Sequence, residues 1–483
     1  MNNNEHRVEK DFLGEKEIPM NAYYGIQTMR AVDNFPITGY PMDEALIKAF
    51  AIVKKSAALA NNEVGQLDRK IADVIVKASD EIIEGKLHDQ FIVDPIQGGA
   101  GTSINMNTNE VIANRALELI GDQKGNYTFI SPNSHVNMAQ STNDSFPTAI
   151  HLSTLAKLDQ LLLVMEDLHA EFLRKATEFD EIIKMGRTHL QDAVPIRLGQ
   201  EFKAYARVLR RDINRISKTR ENLYEVNMGA TAVGTGLNAD PDYIEKVVDY
   251  LAQFSGQPIK GAENLVDGTQ NTDCYMEVSS ALKNCMMNMS KVANDLRMMA
   301  SGPRAGLGEI NLPAVQPGSS IMPGKVNPVM AEVVNQSAFQ VNGNDLTITS
   351  ACEAGQFELN VMEPVIVFNL LQSIKVMTNV FNVFREYCLR GITANSDRMQ
   401  DYVNNSVGII TAINPHVGYE TAAVIARDAI RTKRPVREIV FEKGILTAEE
   451  LDTILQPIEM THPGIAGKEL LDQKRKEKEL VTN

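Results

Sequence analysis

Three segments of this chain run without a glycine or proline for so long that few folds can hold them: Glu201 to Met228, Asn271 to Ser301 and Val365 to Arg390. Each reads as one continuous helix of about 26 to 31 residues, which at about 1.5 Å per residue spans on the order of 40 to 45 Å. That is well beyond the three or four turns usual in globular proteins, and helices of such length pack side by side in a bundle. Leu155, Leu158, Leu161, Met165, Leu168 and Phe172 keep one stripe along a fourth long segment, and Ile71, Val74, Ile75, Ala78 and Ile82 mark a shorter helix that Gly85 stops. Pro364 suits a first helical position, and Gly391 closes the last long helix. Strand signals are sparse, so the fold class is mainly α.

Boundaries fall near Asn143 and Ser396. They predict a mainly helical N-terminal domain (1–143), a central long-helix domain (144–396) and a small helical C-terminal domain (397–483). Val365 to Arg390 is apolar on more than one face and needs partners on several sides, which points to a homo-oligomer. The methionines crowding Met276 to Met299 read as adaptable filler between helices.

A balance of 48 basic against 62 acidic residues gives a net charge of −14, the wrong sign for binding a phosphate backbone. Cys274, Cys285, Cys352 and Cys388 lack metal-type spacing and read as buried thiols in a reducing cytoplasm. The first residues form no apolar leader, and no run of 18 apolar residues occurs, so neither secretion nor membrane insertion is expected. No cluster of metal ligands is visible, and no cofactor is expected.

In a chain where roughly every fourth residue is charged, three stretches contain no Asp, Glu, Lys or Arg: Pro95 to Asn109, Gly125 to Asn143 and Ile310 to Gly324. They are crowded with Ser, Thr, Asn, Gln and Gly, and together they predict one polar, nearly uncharged pocket. The third runs into Gly318 to Pro328 (GSSIMPGKVNP), which sets two hydroxyls, one ammonium and one amide in a single loop. Its spacing argues against a nucleotide cradle. Five residues separate Gly318 from Gly324, Val326 follows Lys325, and Pro323 removes a backbone donor. Gly229 to Asn238 likewise lacks the third glycine of a dinucleotide motif. The inventory suits a small carboxylate instead: hydroxyls at Thr102, Ser103, Ser141, Thr142, Thr188, Ser319 and Ser320, amides at Asn143 and Asn327, and one cation at Lys325. Neutral donors of this kind can follow charge as it builds on a carboxylate oxygen. Taken singly, each Ser or Thr is equally a turn residue, and His189 in MGRTHLQDA is equally a structural histidine.

The three stretches and MGRTHLQDA together resemble the aspartase/fumarase superfamily over essentially the whole chain, GSSIMPGKVNP being its most specific motif. Within it, GGAGTSINMNTNEVIANRA (Gly98 to Ala116) and NPVMAEVVNQ (Asn327 to Gln336) resemble the aspartate ammonia-lyase branch of Bacillus type, whereas fumarases tend to read GSGTQTNMN and NPTQ there. The resemblance implies a homotetramer whose central domains share a helix bundle, with each active site built from three subunits. It also implies reversible deamination of L-aspartate to fumarate and ammonia through an enediolate (aci-carboxylate). Ser319 is implied as the general base. Thr102, Ser141, Thr142 and Ser320 would hold the β-carboxylate, and Lys325 and Asn327 the α-carboxylate. Asn143, Thr188 and His189 would surround the amino group, with Glu332 orienting His189. Alternatives from the same sequence are a class II fumarase acting on malate, an inactive structural relative of the lens-protein kind, and a nucleotide-binding module.

Overall fold

A computed structural model describes residues 5–482. Helix dominates, and among the described residues the strands form two-stranded pairs only. The long helices are Thr142–Glu178, Leu198–Leu223, Asp273–Met299, Val329–Glu353 and Glu363–Tyr387. The chain divides into two compact units, one of Met1–Met165, Asp212–Met287 and Gln336–Asn379, the other of Glu166–Arg211, Asn288–Asn335 and Val380–Asn483.

In the first unit, helix Glu44–Glu63 packs against Arg69–Ile83, Thr102–Leu119 and Pro241–Ser255. Helices Glu44–Glu63 and Arg69–Ile83 start where an aspartate can cap them: Asp43 accepts from Ala45 N and Asp68 from Lys70 N. Arg69–Ile83 stops as expected, with Gly85 taking up the left-handed φ of 96°. Gly101 also has a left-handed φ of 88°, and a Cβ there would lie 2.1 Å from the ring of Phe146, which stacks on Phe50. Only glycine fits.

In the second unit, Phe172, Phe179, Phe202, Tyr205 and Phe384 form a chain of tilted and edge-to-face ring contacts. A separate core gathers Ile183, Met185, Ile409, Ile413, Ile425 and Val440 from the hairpin of strands Ile183–Thr188 and Gln191–Arg197 and the short C-terminal helices.

Several expectations shift. The segment from Glu201 leaves the helix at Leu223 because Glu225–Val226 pairs in parallel with Lys260–Gly261. Pro364 is the second helical residue. Gly391 has no left-handed φ; it is glycine because Pro313 Cγ would lie 2.5 Å from a Cβ. Helix Glu363–Tyr387 has the length and hydropathy of a membrane span, yet 56% of its apolar window is buried within the protein, as in a core helix. The C-terminal residues lie in helix Lys468–Thr482, where Lys474 pairs with Glu450 at 2.6 Å.

Candidate active site

The residues predicted to act fall into two sets, one in each unit. Thr102, Ser141, Thr142 and Asn143 belong to the first, where the charge-free stretches from Pro95 and Gly125 converge. The stretch from Pro95 is loop only as far as Gly101; from Thr102 it is helix, and its amides Asn105, Asn107 and Asn109 are fully buried. The reason is local: Gly99, Ala100 and Gly101 all take left-handed φ, which swings the chain into the helix, and Thr102 Oγ1 closes the turn on Gly99 O at 2.7 Å.

Buried amides demand partners. Asn105 Nδ2 donates to Asn137 Oδ1 (3.2 Å) and to Thr142 Oγ1 (3.1 Å), and Asn109 Nδ2 also donates to Asn137 Oδ1 (3.1 Å), stitching the two stretches together. At their centre lies Lys54, fully buried, donating to Asn105 Oδ1 (2.6 Å), Asn137 Oδ1 (3.0 Å) and Gln140 Oε1 (2.8 Å). Burial brings its ammonium down to about 7, opposed by the carboxylate of Asp144. Asp144 is also fully buried, and burial pushes it up to about 7 although it accepts from Ser141 N (2.9 Å), Thr231 N (3.0 Å) and Gly229 N (3.2 Å).

Asp144 thereby ties the Ser141 turn to the 229–231 segment. Asn143 adds two ties, its Nδ2 donating to Ala232 O (2.7 Å) and its carbonyl accepting from Asn227 Nδ2 (3.0 Å). The second follows from sequence: Pro147 has no N–H to meet the carbonyl four residues back, so Asn227 takes its place. Ser141 Oγ accepts from Asn143 N at 3.2 Å. His135 is structural, its Nδ1 accepting from Ser131 N at 2.9 Å while burial lowers its pKa and keeps the ring neutral.

The second unit holds Thr188, His189, Ser319, Ser320, Lys325, Asn327 and Glu332. Thr188 pairs with Gln191 across the hairpin Ile183–Thr188/Gln191–Arg197, so His189 and Leu190 alone make the turn, with φ of 55° and 62°. Such turns favour Asn-Gly, and two left-handed non-glycine residues cost about 1–2 kcal/mol each. The hairpin is anchored behind the tip, where Arg187 donates to the fully buried Glu309 at 2.7 Å and Asp192 accepts from Ser406 Oγ at 2.8 Å. Strain at an anchored tip exposes His189.

The loop from Gly318 is pinched at its neck. Gly318 N donates to Lys325 O (2.8 Å) and Asn327 Nδ2 to Gly318 O (2.7 Å). A Cβ on Gly318 would lie 2.5 Å from Lys325 O, so close backbone approach accounts for this glycine. Ser319 Oγ accepts from Ile321 N (3.2 Å) and Met322 N (3.1 Å). Ser319 and Lys325 line one open depression of about 450 Å³, while Ser320 and Lys325 are exposed. Glu332 is half-buried in the first turn of Val329–Glu353. A cavity of about 940 Å³ lies in the first unit and includes none of these residues.

Sequence reasoning missed Lys54 and Asp144. For Lys54 a signal existed: it stands on the helix face that carries Phe50, Ala57 and Asn61, all buried, where a charge is out of place. Among the described residues no group of three or more His, Cys, Asp or Glu could hold a metal ion.

A family model described as lyase matches residues 14–343, and one described as the fumarase C C-terminus matches 409–462. An aspartate ammonia-lyase of Bacillus sp is 71% identical over 466 residues, 96% of this chain and 100% of the relative. That of Escherichia coli (strain K12) is 48% identical, covering 97% of this chain and 99% of the relative. Among solved structures, a fumarate lyase:delta crystallin from Brucella melitensis bound to cobalt superposes with a TM-score of 0.93 at 49% identity, covering 95% of this chain and 100% of its own. A class II fumarase from Schistosoma mansoni gives 0.91 at 36% identity with the same coverage. The mainly helical fold expected from sequence is the one these structures share.

Proposed function

Because the chain belongs to the aspartate ammonia-lyases, we propose that it catalyses the reversible deamination of L-aspartate to fumarate and ammonia, with Ser319 as the base. The observation that carries the mechanism is the environment of Ser319 Oγ. A serine is a base only as an alkoxide, a costly species that needs donors. Two backbone N–H groups, from Ile321 and Met322, already point at this oxygen, and hydrogen bonds to an ionised acceptor are about twice as strong as neutral ones.

Ser319 takes a proton from the β-carbon, and the electron pair moves into the β-carboxylate, which becomes the dianionic aci-carboxylate. Thr102, Ser141, Thr142 and Ser320 meet that charge. Collapse of the dianion forms the double bond and breaks C–N. The amino group leaves as neutral ammonia because it was an ammonium at the start, so no added acid is needed. Lys325 and Asn327 hold the α-carboxylate; Asn143, Thr188 and His189 surround the amino group, with Glu332 orienting His189.

The active form is read as a homotetramer whose sites draw on three subunits. Supporting this, Phe339 and Leu346 stand 68% and 70% exposed on helix Val329–Glu353, an apolar face that a second copy would cover. Three segments divided near 143 and 396, and a cytoplasmic setting suited to four free thiols, complete the reading. Light scattering of purified protein checks the tetramer; a monomeric active enzyme would overturn it.

The test of function is fumarate absorbance on adding L-aspartate or L-malate. Growth with aspartate alone supports the proposal; growth with malate alone favours the fumarase reading, and no growth from folded protein defeats both. Retention of full turnover by Ser319→Ala would remove the serine from its role.

A further inference from the structure

We propose that Lys54 is a positioning residue for the carboxylate site: by fixing the side-chain amide of Asn105, it makes the Thr142 hydroxyl an outward-facing proton donor. The inference rests on reading Thr142 as a carboxylate donor and adds a residue and a direction to it.

The geometry leaves little freedom. An ammonium can only donate, so the three amides around Lys54 must each turn an oxygen toward it: Asn105 Oδ1 at 2.6 Å, Asn137 Oδ1 at 3.0 Å and Gln140 Oε1 at 2.8 Å. That fixes the flip of Asn105, whose two N–H groups then face away, to Thr142 Oγ1 at 3.1 Å and Asn137 Oδ1 at 3.2 Å. Gln140 is locked the same way, its Nε2 donating to Val136 O and Met138 O.

Thr142 therefore receives a hydrogen bond from beneath. A hydroxyl has one proton, and among the described residues no group accepts it from Thr142, so it is available to a ligand oxygen. The chain from ammonium to amide to hydroxyl runs in one direction, and each bond polarises the next, strengthening the last donor. Without the ammonium, Asn105 can rotate its oxygen toward Thr142, which would then donate inward and present a lone pair to an incoming carboxylate. Burial of Lys54 and its partial opposition by Asp144 fit a charge placed for this purpose, since a hydrophobic side chain of similar volume would fill the space without a desolvation cost.

Asn105→Asp in the full-length enzyme is the sharpest test. It keeps an acceptor for Lys54 and adds a charge to that pairing, but it replaces the donor to Thr142 and Asn137 with an acceptor. The expected result is a folded enzyme with kcat/KM for L-aspartate reduced about a hundredfold or more. A folded Asn105→Asp enzyme within tenfold of the wild type overturns the inference.

Should that variant fail to fold, a double-mutant cycle decides. Lys54→Met should cost about a hundredfold in an otherwise wild-type enzyme but under tenfold in a Thr142→Val background, because its effect travels through Thr142. Losses that simply multiply overturn the inference. Wild-type protein inert toward aspartate would remove the functional reading and this inference together, whereas active wild type with a fully active Asn105→Asp variant removes the inference alone.

Discussion

The two sets of candidate residues are built by opposite means. In the first unit, Ser141, Thr142 and Asn143 sit over a buried lattice of amides with a lysine and an aspartate inside it, held by side chains and backbone groups from several segments of the chain. In the second, the loop from Gly318 is largely exposed and held by its own backbone, through the Gly318–Lys325 pinch and the two N–H groups on Ser319 Oγ. Donors that must meet charge arising only during reaction gain from rigidity, because they then reorganise little when that charge appears. A base that must reach a carbon of the bound substrate gains from a loop able to settle over it.

The largest effect that could break this contrast is chemical. Ser319→Ala should lower kcat for aspartate by about 10²- to 10⁴-fold while leaving the thermal midpoint unchanged. The two N–H groups it strands are near water and can bond to it. A comparable drop in midpoint would mean that this loop, too, is part of the packed structure.

Next comes Gly101→Ala. A Cβ at 2.1 Å from Phe146 Cδ1, on a backbone of φ +88°, must displace a buried ring that stacks on Phe50. Overpacking of this kind costs about 1–3 kcal/mol and the left-handed backbone adds about 1–2. Differential scanning calorimetry should show a clear fall in midpoint, with loss of activity following because Thr102 is the next residue.

How much of this was legible in the sequence follows the same division. The long helices were readable because their period is local, and so was the polar character of the loops. The helix from Glu201 was overrun because its end is decided by Lys260 and Gly261, more than thirty residues away. Helix Val329–Glu353 was not singled out because Gly343 interrupts the pattern; the structure gives that glycine open space. The turn at His189 carries no Asn-Gly signal, since its left-handed residues are forced by strand register. Lys54 and Asp144 escaped because their partners lie about fifty to ninety residues along the chain, although a lysine on an apolar helix face was itself a warning.

The buried unit should also show a pH dependence that an exposed loop would not. His151 is enclosed in the first unit, its Nδ1 bonded to Leu223 O at 3.0 Å, and burial lowers its pKa to about 4. The unfolded chain takes up a proton near pH 6.5, whereas the folded protein resists until about 4. Stability from the neutral ring is therefore complete above about 6.5 and is lost as pH falls toward 4, by about 3 kcal/mol in all. Urea midpoints measured between pH 7 and 4 should fall, and the fall should be smaller for His151→Gln even if that variant starts lower. An equal slope in both proteins would assign the acid sensitivity elsewhere.

The smallest effect is the counterpart of Gly101 in the exposed loop. Gly324 has nearly the same left-handed backbone, φ +83°, but nothing lies within 4 Å of the Cβ an alanine would add. Only the intrinsic cost of that backbone remains, about 1–2 kcal/mol. It can be relieved by local rearrangement between Ser320 and Val326, all exposed. Gly324→Ala should therefore leave the unfolding midpoint within a degree or two of the wild type. Its effect should appear in kcat/KM, by about tenfold, because Lys325 and Ser319 share this loop. A Gly324→Ala midpoint that fell as far as that of Gly101→Ala would show the loop to be as firmly packed as the amide lattice and would erase the contrast between the two sets.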